Sequence, residues 1–386
     1  MTSPRIVIIG GGIIGSLTAR ALSREGMTDV TVIERDPTYQ FSSTALSAAS
    51  IRTQFGCPVN VELSLYGARF LKGVKAELGE DTEIGFVEGG YLILGDEATA
   101  PARRAALAMQ RGLGADIADY DSDGAAAAFP WLVADDIAIA TYGRANEGWF
   151  DAWGLLQAAR RAAIASCVRY LHAEVDGFTT DGARVTGVRA GGSVYPADWV
   201  VNAAGPASGA VTRLLGIDFP VRPRKRTVFH FKAPLEGAGM PMLFDISGAW
   251  MRPEGDGFIG GIQPDEANDP DADGDFEPDH ALFEDRLWPL LAARVPALEQ
   301  LRLVRAWAGH YEMCLFDHNG VIGPHPELAN LVFATGFSGH GVMHAPGTAR
   351  GVAEWIAHAA YRTIDLTPLG FGRIAANRPM PESAIY

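Results

Sequence analysis

The sequence predicts an α/β protein in which a doubly wound core with a parallel sheet is interrupted in the chain by a β-rich α+β domain. Three observations carry that expectation. Residues 4 to 36 read as strand, glycine turn, helix and second strand. Trp199-Val200-Val201-Asn202-Ala203-Ala204 is a buried strand running into Gly205-Pro206, and Leu331-Val332-Phe333-Ala334-Thr335 runs into a third glycine loop ahead of a helical stretch. Between the second and third junctions, from Phe219 to about Leu303, short strand-like runs separated by turns replace the α/β texture.

The first junction is the most specific. Pro4-Arg5-Ile6-Val7-Ile8-Ile9 reads as a short buried strand, followed directly by the GxGxxG turn Gly10-Gly11-Gly12-Ile13-Ile14-Gly15. A helical pattern runs from about Ser16 to Glu25, and Val30-Thr31-Val32-Ile33 is a second strand ending in Glu34. Gly10 permits the tight turn, Gly12 lets the backbone approach a pyrophosphate, and Gly15, with Ala19 one turn on, lets helix pack on strand. A pyrophosphate there sits on unpaired N–H groups at the positive end of the helix dipole. Glu34, 19 positions beyond Gly15, is placed to accept hydrogen bonds from a ribose 2′-OH and repels a phosphate, which argues against NADP. This is a Rossmann-type dinucleotide site, and by itself it does not choose between NAD and FAD.

At 386 residues the chain is too long for one compact core. Its 48% hydrophobic and 20% charged residues are ordinary globular values and exclude extensive disorder. A formal charge of −14 makes nucleic acid and anionic membranes unsuitable partners. The one short basic patch, Arg222-Pro223-Arg224-Lys225-Arg226, is expected at a solvated strand entry. Cys57, Cys167 and Cys314 are widely spaced and form no CxxC pair, which points to a reducing, cytoplasmic setting without disulfides or a metal site. The apolar run from Ile6 to Ile14 is broken by glycines and falls short of the ~20 residues of a membrane span.

Phe41 to Ser50 is a polar, small-residue stretch whose side chains would let the backbone pass close to a flat ligand, or it is an ordinary loop. Ile51 to Phe55 follows, then a helix from about Asn60 to Glu77. Phe86 to Leu94 reads as a strand bent at Gly89-Gly90, Ala100 to Leu113 as a helix, Ala125 to Phe129 as the start of a short one, and Ile137 to Tyr142 as a strand. Asp151 is the expected N-cap of a helix over Ala152 to Ser166. Strands at Val168–Leu171 and Ala173–Phe178 lead into a hairpin, Arg184–Arg189 with Ser193–Tyr195. In the insertion, Thr227–Phe231, Ala249–Pro253 and Gly257–Gly261 are strand-like, Asp265 to His280 is an acidic Pro/Asp loop, and Ala281 to Val295 is an amphipathic helix. Gly336-Phe337-Ser338-Gly339-His340-Gly341 then opens a helix over about Ala345 to Ala360, implying a second anion or carbonyl site.

With its glycine junctions at Ile8–Glu34, Val200–Pro206 and Gly336–Gly341, the Ser42–Phe55 stretch and Asp317-His318-Asn319-Gly320-Val321-Ile322-Gly323, the chain resembles the FAD-dependent D-amino acid oxidase and sarcosine oxidase superfamily. The likeness is to its sarcosine- and dimethylglycine-oxidising branch and the FAD-dependent oxidoreductase domain proteins. It covers essentially the whole chain and selects FAD over NAD. It implies a glutathione-reductase-like FAD-binding domain over 1–85, 143–216 and 304–386, and a substrate domain over 86–142 and 217–303.

By that resemblance Gly10, Gly12, Ile13, Ile14, Gly15, Glu34 and Arg35 hold the ADP half of FAD, and Val175 offers backbone contacts to adenine. Ala203, Ala204 and Gly205 lie against the pyrophosphate and ribityl chain. The loop carrying Ser42, Ser43, Thr44, Ser47, Ala49 and Ser50 passes the isoalloxazine. Gly336 and Phe337 also belong to the cofactor site, and Gly339, His340, Gly341, Val342 and Met343 bring N–H groups to the N1/C2 carbonyl, where reduced flavin carries negative charge. The chemistry implied is hydride transfer from a neutral amine to flavin N5, with the imine then hydrolysed; the protein supplies orientation and a dry pocket.

Arg52 resembles the arginine that flanks the flavin in sarcosine oxidases and would hold a carboxylate, its alternative being a structural ion pair. His310 and Tyr311 stand where D-amino acid and glycine oxidases carry a Gly-x-Arg clamp, and Tyr311 in place of that arginine favours secondary or tertiary amines over primary D-amino acids. His340 is either a flavin-pocket residue or a packed histidine, and Arg252 and Gln263 are further candidates on the insertion's sheet. Trp250, Trp307, Phe337 and Met343 either line an aromatic pocket or belong to the core. Monomeric sarcosine oxidases carry a lysine above the flavin where this chain reads Phe258-Ile259-Gly260, so O₂ and an electron carrier both remain open as acceptor. Cys314 is out of register with their flavin-linking cysteine, so non-covalent FAD is expected. The function expected is oxidation of a small-molecule N-alkyl amino acid or related amine, by a monomer or homo-oligomer. The alternatives are a D-amino acid or glycine oxidase, or a flavin-containing scaffold without turnover.

Overall fold

A computed structural model describes residues 3–272 and 274–382. Its first unit is a six-stranded sheet in the order Val321–Pro324, Leu331–Thr335, Trp199–Asn202, Arg5–Ile9, Asp29–Glu34, Arg169–His172. Every pairing is parallel except that of Val321–Pro324 with Leu331–Thr335. The unbroken apolar run of the first strand follows from burial on both faces. Ile6 and Ile8 pack among the helices Ile13–Arg24, Ala152–Ala165 and Gly341–His358, whereas Val7 and Ile9 face Val185, Val188 and Phe219 beneath a three-stranded antiparallel meander, residues 175–196.

The second unit is an eight-stranded sheet in the order Arg302–Cys314, Val221–Lys232, Gly257–Gly261, Trp250–Glu254, Met242–Phe244, Tyr91–Gly95, Ile139–Gly143, Ile117–Tyr120. Strand alternation divides its side chains. Leu92, Leu94, Phe229, Phe231 and Met251 pack against Phe283, Leu287 and Leu291, while Tyr91, Val228, Met242, Phe244 and Trp250 form the opposite face, turned toward the first unit.

Several elements differ from the sequence expectation. The strands at Thr227 and Trp307 extend to Val221–Lys232 and Arg302–Cys314 because they pair along their full lengths, so residues 304–314 belong to the second sheet. The strand expected from Phe86 begins only at Tyr91, since Gly90 has φ of +80° and Val87 makes an isolated bridge to Trp149. The Asn60–Glu77 helix breaks at Gly73 into Pro58–Lys72 and Val74–Leu78. The amphipathic helix after the acidic loop does form, as one continuous helical run over residues 280–294 whose middle, Phe283–Leu287, is π-helical. Asp151 caps its helix as expected, accepting from the Gly154 N–H at 2.9 Å. Among the described residues no helix is long and apolar enough to cross a membrane.

Candidate functional site

One continuous cleft runs between the two units, from Glu34 at the end of the second strand to Tyr91, Phe244 and Trp250 on the eight-stranded sheet. Three of the four glycines of the first turn have separable tasks. Gly10, at φ +98°, lies so close to the second junction that a Cβ would stand 2.3 Å from the Ala203 carbonyl oxygen. A Cβ on Gly15 would stand 1.9 Å from the Gly10 carbonyl oxygen, so this glycine seats the helix on the strand and does not line the cleft. Gly12 does line it, and a Cβ there would meet protein only at Thr44 Oγ1, at an ordinary 3.6 Å. The space that glycine leaves at position 12 is therefore space in the cleft. Gly12 caps the helix without a side-chain hydrogen bond. The Ile13 N–H donates to Thr44 Oγ1 at 3.2 Å. The Glu34 carboxylate is held by the Gly11 N–H at 2.7 Å and the Asp36 N–H at 2.8 Å, which leaves acceptor capacity on both oxygens.

The Ser42–Ser50 loop forms one wall, fastened by the Ser43 hydroxyl to the His310 carbonyl at 2.6 Å and by Trp307 Nε1 to the Leu46 carbonyl at 3.0 Å. Arg52 follows it and lines the cleft with its guanidinium 4.3 Å from the Phe55 ring centre. Behind Arg52 is a buried network that sequence reasoning missed. Glu147 accepts from the Thr53 N–H at 2.7 Å, the Thr53 hydroxyl at 2.6 Å and Gln54 Nε2 at 2.9 Å, and Gln54 accepts from Thr141 at 2.6 Å. Burial raises the Glu147 pKa against these donors and the Arg52 charge. Nothing in the spacing of residues 53, 54, 141 and 147 announces their meeting.

The third junction supplies the facing wall. Gly339, at φ +100°, packs under the Tyr311 ring, where a Cβ would be 2.3 Å from a ring carbon. His340 is 1% exposed, lies 5.3 Å edge-on to Phe55, and has a buried Nε2 without a hydrogen-bond partner among the described residues. Burial, His344 and Arg52 hold it neutral, far below the ordinary histidine range. Glu312, also missed from sequence, lies between the second and third junctions. It accepts from Thr335 Oγ1 at 2.7 Å and the Gly336 N–H at 3.0 Å, and burial pushes its pKa up to about 7.

Several assigned residues lie elsewhere. Gly336, Phe337 and Met343 are buried behind the third junction, and Val175 starts the meander outside the cleft lining. Arg252 is not in the lining. It is 4% exposed, pairs with Glu254, donates to the Ala48 carbonyl at 2.8 Å, and so ties the second sheet to the Ser42–Ser50 loop. His310 lines the cleft but is locked, with Nε2 2.5 Å from the Asp275 carbonyl and its ring stacked 4.0 Å from Phe276. Of the aromatic and Met candidates only Trp250 lines the cleft, while Tyr91, Met242 and Phe244 join it unforeseen. The basic patch is not a solvated strand entry. Arg224 pairs with Asp271, Lys225 with Asp275 at 2.6 Å, and Arg226 with Asp269 at 2.8 Å, so the acidic loop is zipped along the strand and brings Phe276 to the cleft.

The residues present fit a dinucleotide carrying a flat, hydrogen-bonding ring. The gap at Gly12 and the oriented Glu34 suit the nucleotide half, and the buried, partnerless His340 Nε2 marks a polar contact still to be made. Cys314 is buried away from the lining and donates toward Asp317 at 3.7 Å, and all three cysteines are free.

A family model described as FAD dependent oxidoreductase matches residues 5–355. The chain is 40% identical to FAD-dependent oxidoreductase domain-containing protein 1 of Xenopus laevis, over 98% of this chain and 84% of that protein. It is 26% identical to the mitochondrial sarcosine dehydrogenase of Homo sapiens, over 92% of this chain and 40% of that protein. Among solved structures it is similar to L-proline dehydrogenase from P. horikoshii, with a TM-score of 0.86, 25% identity, and coverage of 98% of this chain and 99% of that one.

Proposed function

The chain belongs to the FAD dependent oxidoreductase family, and from that premise we propose that it oxidises a secondary or tertiary amine, an N-alkyl or cyclic amino acid, to an imine that water then hydrolyses. FAD is the cofactor and supplies the two-electron acceptor. In this reading Gly12 and Glu34 hold its ADP half, and the Ser42–Ser50 loop and Gly339–Val342 flank its ring without a covalent link. Arg52 puts positive charge on the chamber wall, which favours an anionic substrate. Tyr91, Met242, Phe244 and Trp250 exclude water and so favour the neutral amine, whose lone pair drives the oxidation. The protein's share of catalysis is thus orientation and dryness more than acid–base work. His310, bound to the Asp275 carbonyl, has no proton-transfer role here.

The observation that carries the proposal is the continuity of one cleft from the Glu34 carboxylate to an aromatic chamber with Arg52 on its wall. Two of the similar proteins support it through their names alone, which specify sarcosine and L-proline, both secondary amines. Anaerobic mixing of the FAD-loaded protein with N-methyl amino acids, proline, glycine and D-alanine tests it. Loss of the oxidised flavin band is expected with the secondary amines and not with the primary ones. Bleaching by glycine or D-alanine alone would establish a primary amino acid oxidase instead, and no bleaching by any member a flavin-containing scaffold. Peroxide on readmission of air separates an oxidase from an electron-carrier-coupled dehydrogenase.

A further inference from the structure

Arg226 lines the cleft beside Tyr311, its guanidinium carbon 5.2 Å from that ring's centre, on the strand that the acidic loop covers. A guanidinium has five N–H donors in a fixed plane. Three are used: Nη1 and Nη2 each donate to one oxygen of Asp269 at 2.8 Å, and Nη1 donates again to the Lys225 carbonyl at 2.7 Å. The remaining donors, Nε–H and the second Nη2–H, share one edge of the plane. Nε is buried, and among the described residues it has no hydrogen-bond partner. Two parallel N–H groups on one edge are the complement of a carboxylate, and a buried donor left without an acceptor costs about 1–3 kcal/mol until one arrives.

We propose that Arg226 is a specificity-determining residue that takes a carboxylate of the substrate on its Nε/Nη2 edge, with Asp269 as the positioning residue that holds the guanidinium flat. The inference deepens the amine-oxidising reading of the same cleft and rests on it for the amine, though not for the carboxylate. Its physical basis is the division of labour around one cation. The arginine and Asp269 side chains are both largely buried, 9% and 14% exposed, so their charges neutralise each other within the wall. The wall therefore holds a directional fork in place of a bare charge, one that rewards two coplanar oxygens and gives little to a neutral amide. Asp269 reaches this position through its loop, whose other carboxylates Asp271 and Asp275 are seated on Arg224 and Lys225. The neighbouring cations are thus occupied, and Arg226 is the member of the basic strand that lines the cleft.

The test uses a probe that needs no turnover. Pyrrole-2-carboxylate and its uncharged carboxamide are titrated into the FAD-loaded protein under nitrogen, following the perturbation of the flavin spectrum, with FAD content and thermal midpoint as folding controls. The acid is expected to bind the unaltered protein. R226Q and R226K should each weaken it by about tenfold or more, because lysine keeps the charge and lacks the fork, and carboxamide binding should change by less than about twofold. D269N, which keeps the arginine, should weaken the acid by about three- to tenfold. Acid binding at the unaltered affinity in R226K or D269N, equal losses for acid and carboxamide, or no binding of the acid by the unaltered protein would each overturn the proposal. Should both Arg226 variants lose FAD, the D269N titration decides alone. Acid binding that depends on Arg226 with no amine able to bleach the flavin would leave this inference standing and remove the amine reading; bleaching by secondary amines with acid binding indifferent to Arg226 would do the reverse.

Discussion

Replacing Gly12 by alanine separates cofactor binding from folding. Gly12 has φ −60° and ψ −171°, a conformation open to alanine, and the new methyl would meet protein only at Thr44 Oγ1, 3.6 Å away. The reduced freedom of the unfolded chain favours the variant by about 0.4–1 kcal/mol, and the poorer cap costs about 0.5–1 kcal/mol, so the apoprotein should unfold within about 1 kcal/mol of the unaltered chain. Bound FAD sees a different change. A methyl forced into a well-packed contact costs about 1–3 kcal/mol, or roughly a 5- to 150-fold rise in the FAD dissociation constant. Gly15→Ala is the contrasting control. Its methyl would be 1.9 Å from a backbone oxygen, so helix and strand must part and the apoprotein itself should lose stability. FAD titration by fluorescence quenching, paired with urea unfolding of the apoproteins, reads both quantities. Unaltered FAD affinity in Gly12→Ala, or a Gly15→Ala apoprotein as stable as the parent, would refute the division of roles drawn from the turn.

Further outcomes follow from the same contacts. Arg252→Ala should lower unfolding stability by about 1.5–3 kcal/mol, the value of hydrogen bonds to a charged group, with Glu254 partly screened by solvent; an unchanged urea midpoint would contradict its anchoring role. Glu312 has a folded pKa near 7 against an ordinary 4.5, so the folded apoprotein binds more protons than the unfolded chain between those values and its stability falls as pH rises through that window. The loss reaches about 3 kcal/mol above pH 7, and Glu312→Gln should flatten it; equal slopes in variant and parent would count against a buried, protonatable Glu312. Non-covalent FAD predicts that acid precipitation leaves a colourless pellet and a yellow supernatant, whereas colour retained on the protein would require a covalent link.

What was legible in the sequence was what a local spacing encodes. Gly10, Gly12 and Gly15 repeat at the interval that places a turn, an opening and a helix contact in succession, and Glu34 ends the next strand, so the nucleotide end of the cleft could be read from 30 residues of chain. The substrate end could not. Tyr91, Met242 and Phe244 sit in strands buried on both faces, where an apolar run does not say which side chains face the cleft. The basic patch at 222–226 looked solvated because its partners, Asp269, Asp271 and Asp275, lie more than 40 positions away in a loop whose acidity was visible and whose destination was not. Arg252 shares a strand face with Trp250, as alternation requires, yet its reach to the Ala48 carbonyl depends on how the two units meet. Family resemblance supplied the meeting of the three glycine junctions, which no single-sequence pattern fixes.

A crystal structure of the FAD-loaded protein soaked with a non-oxidisable cyclic amino acid tests the whole account most directly. The predicted result has the adenosine ribose on Glu34, the pyrophosphate over Gly12, the ring between the Ser42–Ser50 loop and His340, and the amine enclosed by Tyr91, Phe244 and Trp250. A ring turned away from that aromatic face, or an amine bound outside the chamber, would contradict it.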